Sequence, residues 1–242
     1  MSNQPRMRMF AGPNGSGKST LKSVIEPYLL GFYINPDEIE KELHEKGFYH
    51  LDSLPFEILI SEILVFFHNS GLYPKLTFSL TIDNFQIEGN KLFFLKIPVN
   101  SYVSAIFSDF LRHKFLENQM SFTFETVMSS ADKVALLAKA QALGFRTYLY
   151  YVSTEDPQIN IARVSNRVNL GGHNVPQDKI FQRYYRSLAF LFEAIKYSNR
   201  VYLFDNSGIS KRFIASIEDG KTIDIQTDTL PEWFEKYVID KI

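Results

Sequence analysis

Near the N-terminus, Gly12-Pro13-Asn14-Gly15-Ser16-Gly17-Lys18-Ser19 fits the pattern G-x-x-x-x-G-K-S/T. Glycines at this spacing let successive backbone N–H groups turn inward around a phosphate. A helix that begins there adds the favourable end of its dipole. Lys18 then reaches the terminal phosphates, the Ser19 hydroxyl ligates Mg²⁺, and Thr20 continues the same loop. The apolar run Arg6 to Ala11 precedes the motif and the helix-like run Lys18 to Leu30 follows it. That strand–loop–helix context is what a phosphate-binding loop requires. The chemistry implied is binding of a nucleoside triphosphate.

What happens to the phosphate depends on nearby carboxylates. A water-activating ATPase carries a strand that ends in Asp-Glu, whereas Val201 to Asp205 is followed by Asn206-Ser207-Gly208. Asp205 therefore reads as a strand-end residue near the nucleotide base, or as a turn former. Asn35-Pro36-Asp37-Glu38 ends the second strand, where a small-molecule kinase keeps the carboxylate that accepts the proton of an attacking hydroxyl. Asp37 equally suits a helix cap. Glu125 and Thr126 end the strand SFTFETV, and ligands of open parallel sheets gather at such C-terminal strand ends. They are candidates to hydrogen-bond an acceptor or support the metal, with a buried structural carboxylate as the competing reading.

Cations cluster further along. Arg163, Arg167, Lys179, Arg183 and Arg186 face a single carboxylate, Asp178, between Pro157 and Arg186. Arg163 and Arg167 share one helix face by their spacing of four, and Arg183 and Arg186 lie three apart on the next helix. Gly171-Gly172-His173-Asn174 joins the two helices. Arginine-bearing helices around a glycine loop fit a lid that closes over a phosphoryl-transfer site. His173 would fix that lid or touch phosphate. A solvated charged face is the plainer alternative.

The elements that must position these residues alternate between strand and helix, which predicts a parallel sheet covered on both faces. Helices are expected over 18–30, 37–46, 52–70, 101–118, 131–143, from 156 to the glycines, 176–199 and 231–240. Strands are expected at 6–11, 32–35, 121–127, 145–152 and 201–205. Alternating Leu76, Phe78, Leu80 and Ile82, with a turn at Glu88-Gly89-Asn90, predicts an antiparallel hairpin or small meander over 76–97. A C-terminal hairpin turns at Glu218-Asp219-Gly220. The organisation is one α/β domain over 1–242 with a stretch of about 52–100 inserted.

Composition narrows the class. The chain has 242 residues and a formal net charge of -1, so it lacks the basic excess of a dedicated nucleic-acid binder. Without cysteine there are no disulfides, thiolate nucleophiles or cysteine-bound metals. No run of about 18 apolar residues exists to span a bilayer. The N-terminus lacks the apolar core of a signal peptide, so a cytoplasmic location is expected. The 22 Phe and 13 Tyr fall mostly in periodic apolar segments and read as core.

Five segments together resemble the zeta toxin family of P-loop kinases. They are GPNGSGKST at 12–20, NPDEI at 35–39, FETVMS at 124–129, RVSNRVNLGGHNVPQDKIFQRYYRSL at 163–188 and DNS at 205–207. The resemblance covers nearly the whole chain except about 52–100. It implies an ATP- and Mg²⁺-dependent kinase, whose characterised members phosphorylate UDP-N-acetylglucosamine and so block cell-wall synthesis. It implies Lys18 and Ser19 as ATP and metal residues, and Asp37 as the base on the sugar hydroxyl. Glu125 is similar to the substrate-contacting Glu, and Arg163 and Arg167 to the phosphate-clamping pair, with Arg183 or Arg186 able to take one role. An antitoxin protein is the partner so implied. This chain has Glu125-Thr126-Val127 where toxin members carry an E-G-T type sequence, and its GGHNVP stretch resembles a chromosomal branch described only as predicted ATPases. The expectation is phosphoryl transfer from ATP to a small-molecule hydroxyl, a sugar nucleotide favoured. The alternatives are an ATP-binding protein regulated by a partner, and phosphorylation of RNA or nucleotide ends, which the slight negative charge makes less attractive.

Overall fold

The computed structural model describes residues 4–171 and 174–242. In chain order the first elements are β1 (Arg6–Ala11), β2 (Phe32–Ile34), α1 (Pro36–Lys46), β3 (Phe48–His50), α2 (Ile60–Asn69), β4 (Phe85–Glu88) and β5 (Lys91–Phe94). Then come α3 (Ser101–Glu117), β6 (Phe122–Thr126), α4 (Ala131–Ala142), β7 (Arg146–Ser153), α5 (Pro157–Asn169), α6 (Gln177–Ala189) and α7 (Leu191–Lys196). β8 (Arg200–Asp205), β9 (Arg212–Glu218), β10 (Thr222–Ile225) and α8 (Glu232–Tyr237) complete the chain. Seven strands form a mostly parallel sheet in the order β10-β9-β8-β7-β1-β6-β2, and β3-β5-β4 form a smaller antiparallel sheet. The α/β class expected from the alternation is observed.

The chain divides into two compact units, one of 1–31 with 125–242 and one of 32–124. In the first, β1 runs parallel to β7, and β7 parallel to β8. Met7, Met9, Phe10 and Ala11 are fully buried, as are Leu149, Tyr151, Val152, Val201 and Leu203. Such near-continuous apolar strands belong to a sheet covered on both faces. β8 ends at Asp205, which is 1% exposed and accepts bonds from the Ser207 N–H at 3.0 Å, the Ser207 hydroxyl at 2.9 Å and Trp233 Nε1 at 2.9 Å. One carboxylate thus fixes the turn after β8 and the buried indole of α8.

In the second unit the phenylalanines form a continuous core. Phe32 stacks on Phe115 at 4.7 Å between centroids, and Phe115 meets Phe122 at 5.6 Å. Phe67, Phe85, Phe94 and Phe107 follow one another edge-on at 5.7, 5.3 and 5.4 Å. Ring pairs at these distances favour tilted contacts because ring edges are positive and faces negative. Phe-rich composition here means packing, as the periodic pattern implied.

Four expectations need correction. The segment after the phosphate loop is not an α-helix over 18–30 but 3₁₀ over Lys18–Val24 and again over Pro27–Leu29. Thr20 Oγ1 donates to the Gly17 carbonyl at 2.8 Å and Ser23 Oγ to the Thr20 carbonyl at 2.7 Å, so hydroxyls reinforce the tighter turn. Ile25 and Glu26 are extended before Pro27, which disfavours helical backbone at the residue preceding it. The helix expected over 52–70 is only α2, because Glu62 caps the N–H of Leu59 at 3.2 Å while Asp52 is engaged with Asn90 at 2.5 Å.

The alternating stretch 76–82 forms no strand. Its Leu80 N–H donates to the Tyr73 hydroxyl at 3.2 Å, and Asn84 accepts the Thr81 N–H at 2.8 Å, so the backbone bonds locally. Ile82 is 54% exposed while Leu80 is buried. The hairpin exists one step later, with β4 and β5 joined through Gly89-Asn90 and β3 added beyond β5. Finally, the helix expected over 176–199 bends at Phe190 into α6 and α7. That bend turns Leu191, Ala194 and Ile195 into the core that already holds Tyr184 and Leu188.

Replacing Asp205 by Ala removes the acceptor shared by three donors in the interior. The unfolding free energy should fall by about 3 kcal/mol, read by urea denaturation monitored by circular dichroism; a loss within error would mean that water replaces the carboxylate.

Candidate functional site

The phosphate loop runs from the end of β1 into the 3₁₀ turn, and β7, α5 and β8 hold it from three sides. Gly12 has φ +141°, and a Cβ there would lie 2.1 Å from the Val152 carbonyl oxygen of β7. Gly15 has φ +76°, and its Cβ would lie 2.5 Å from the Asn160 carbonyl oxygen of α5. Only glycine permits both the backbone angle and the approach. Lys18 Nζ donates to the carbonyls of Gly12 at 2.8 Å and Pro13 at 2.9 Å, so the ammonium lies over the loop.

Two asparagines brace the loop from outside it. Asn160, fully buried on the first turn of α5, donates its Nδ2 to the Asn14 carbonyl at 2.6 Å and accepts from the Thr154 hydroxyl. Asn206, directly after β8, donates its Nδ2 to the Ser16 carbonyl at 2.8 Å. Its own N–H bonds the Ser153 carbonyl at 2.8 Å. Helix α5 is in turn started by Asp156, which accepts the Gln158 N–H at 2.7 Å ahead of Pro157. Neither asparagine was singled out as a brace in the sequence. The available signals were a polar residue on the buried face of an amphipathic helix and an amide where an Asp-Glu ATPase would have its Glu.

Asn14 Oδ1 and Ser16 Oγ in the loop, and Arg163 Nη1 on α5, are buried and lack hydrogen-bond partners among the described residues. Buried polar atoms are normally satisfied, so these suit a polar ligand. Arg163 Nη2 donates to the Gly208 carbonyl at 3.3 Å, tying α5 to the loop after β8. Arg167 is exposed one turn on. On α6, Arg183 is half-buried and Arg186 exposed. α5 and α6 pack through Val164, Val175 and Ile180, and the Tyr184 hydroxyl donates to the Thr154 carbonyl at 2.5 Å. Among these arginines, Arg163 bonds the turn after β8 that also carries Asn206. Gly172 and His173, at the centre of the expected lid, lie outside the described residues.

Glu125 and Thr126 end β6 half-buried, and the Thr126 hydroxyl accepts the Met128 N–H at 3.0 Å. Asp205 is buried under Ser207 and Trp233, as suits a turn former at the strand end. Beside it, burial and the Asp205 charge push the Glu155 carboxyl up. A further cation, Lys211, donates to Thr20 Oγ1 at 2.6 Å, a contact that nothing in its sequence context signals.

Asp37 belongs to the second unit, on the exposed first turn of α1. The cap of that helix is Asn35, whose Oδ1 accepts the Asp37 N–H at 2.9 Å. The capping role is therefore filled by its neighbour.

No protein-family model matches the chain. Over 98% of its length it superposes on a chain of the crystal structure of AvrRxo1-ORF1:-ORF2 with ATP, at TM-score 0.60 and 15% identity. At that identity the likeness shows the fold alone, a mostly parallel sheet flanked by helices. A second structure of that complex, with sulphate ions, gives the same fold at TM-score 0.55 and 13% identity. The chain spans 64% of the AvrRxo1 chain in each case. By sequence it is 30% identical over 74 residues to an uncharacterized protein of Haemophilus influenzae, a match covering 31% of this chain and 53% of that one, about half of the curated relative. Among the described residues no helix is long and apolar enough to cross a membrane.

Asn160→Ala should leave the fold intact and free the Asn14 carbonyl. Loss of one bond that shapes the loop should weaken MgATP binding about tenfold, measured by calorimetric titration; unchanged affinity would mean that the glycines alone hold the loop.

Proposed function

We propose that the chain is a kinase that transfers the γ-phosphate of ATP to a hydroxyl of a small molecule. The observation that carries this reading is the complete phosphate loop, braced by two asparagines, with two of its own buried polar atoms, and one on Arg163, lacking partners among the described residues. The loop residues Gly12 to Thr20 bind the phosphates, and Lys18 draws on the terminal ones. Ser19 would hold Mg²⁺, which when bound neutralises charge on the β- and γ-phosphates. Asp37 accepts the proton of the acceptor hydroxyl as its oxygen bonds to the γ-phosphorus; the bond to the β,γ-bridging oxygen breaks and ADP leaves. With Asn35 serving as the cap, the Asp37 carboxylate is left for this task.

Arg163 stabilises the spread charge of the transferring group with its unpartnered nitrogen, and Arg167 is the second candidate. Glu125 and Thr126 hydrogen-bond the acceptor, and Arg183 and Arg186 bind its charged part. From the family resemblance, a sugar nucleotide such as UDP-N-acetylglucosamine is the favoured acceptor. The stretch about 52–100 is the part proposed to set acceptor choice. A protein partner of antitoxin type belongs to the proposal because AvrRxo1-ORF1 was crystallised in complex with AvrRxo1-ORF2. That pairing also favours a second reading, an ATP-binding protein controlled by its partner without phosphoryl transfer.

Incubation with γ-labelled ATP and a cytosolic metabolite pool, with UDP-N-acetylglucosamine tested separately, should yield a labelled small molecule. Lys18→Ala should abolish it, and Asp37→Asn should slow it by about 10²–10⁴ with little change in ATP affinity. Absence of any labelled product from a protein that binds ATP would select the second reading. Arg163→Lys keeps charge but loses the planar fork, and should cut transfer toward the roughly 10³-fold lower end of arginine-finger effects. Tolerance of lysine there equal to that at Arg186 would return the cluster to a solvated face.

A further inference from the structure

Lys211 precedes β9 directly and lies far in sequence from the phosphate loop. Its Nζ nevertheless donates to Thr20 Oγ1 at 2.6 Å. The same hydroxyl donates to the Gly17 carbonyl at 2.8 Å, and the Thr20 N–H bonds that carbonyl at 3.2 Å. The ammonium is therefore coupled through one threonine to the turn that closes the loop. It also lies 5.7 Å from the centroid of the Phe204 ring, whose face attracts a cation.

The charge at this point is poorly compensated. Lys211 is half-buried, and burial lowers its pKa. Among the described residues no carboxylate forms an ion pair with it, whereas the next residue, Arg212, approaches Asp205 at 3.7 Å. A desolvated cation held by a hydroxyl and a ring gains most from an anionic ligand. Lys18 and Ser19 take the terminal phosphates, and Thr20 stands one residue past them. A cation fixed to Thr20 meets the phosphate chain nearer the ribose.

We infer that Lys211 is a nucleotide-binding residue that contacts the ribose-proximal phosphate of the bound nucleotide. The inference rests on the ATP-binding reading above and adds a second lysine to it. Because that phosphate is not transferred, the contact is equal before and during the reaction. It strengthens binding of ATP and ADP alike and leaves the rate at saturation unchanged.

The test titrates MgATP, MgADP and adenosine into the full chain, its Lys211→Gln variant and its Lys211→Arg variant. Lys211→Gln should weaken ATP and ADP equally, by roughly tenfold or more, with adenosine unaffected and Lys211→Arg recovering part of the loss. The thermal midpoint of the nucleotide-free variant should not fall, since an uncompensated charge is removed. Unchanged ATP and ADP affinity in Lys211→Gln, beside a wild-type chain that binds both, overturns the inference alone. An equal loss for adenosine also overturns it, because the contact would then not be to phosphate. A wild-type chain that fails to bind ATP removes the broader reading, and this inference with it.

Discussion

Two side-chain amides hold the backbone on which the site depends. A phosphate loop must keep its N–H groups converging, which leaves several carbonyls turned outward with no partner in a regular element. Asn160 takes the carbonyl of Asn14 and Asn206 takes that of Ser16. Each amide is itself fixed, the first by Thr154 between β7 and α5, the second by its backbone bond to Ser153. The curvature of the loop is thus supported from α5 and from the turn after β8, in addition to the Lys18 bonds within the loop.

The surrounding charges follow from the same arrangement. Asp205 is taken up by Ser207 and the indole of Trp233, so the strand end that lies beside the loop presents no free carboxylate to repel an anion. Arg163 is carried on the helix that bears Asn160, one turn further on, and inherits its position. Lys211 reaches the loop through Thr20. Cations and neutral amides therefore dominate the environment of the loop, although the whole chain is close to neutral.

Much of this was legible in the sequence. The loop, the strand–helix alternation, the hairpin turn at Gly89-Asn90 and the Phe-rich core followed from spacing and turn chemistry. The bracing amides did not, because Asn160 and Asn206 meet the loop across 146 and 190 positions of sequence. Lys211 escaped for the same reason, across 191 positions. The segment 76–82 misled because alternation describes a strand only when its N–H groups have a neighbouring strand to bond. Here Tyr73 and Asn84 took them first. Past the loop, hydroxyls at Thr20 and Ser23 and the proline at 27 outweighed the helical pattern. Asp37 was placed on the right turn, but that its neighbour Asn35 does the capping became visible only in three dimensions.

The chain contains one tryptophan, and Trp233 is buried with its indole nitrogen on Asp205. Asp205 adjoins Asn206, which touches the phosphate loop. An indole is sensitive to charge and hydrogen bonding at its nitrogen, and no second indole dilutes its emission. The protein therefore carries a single intrinsic optical probe two bonded contacts from its phosphate loop, placed to report on that loop by ultraviolet fluorescence without a label or an identified acceptor.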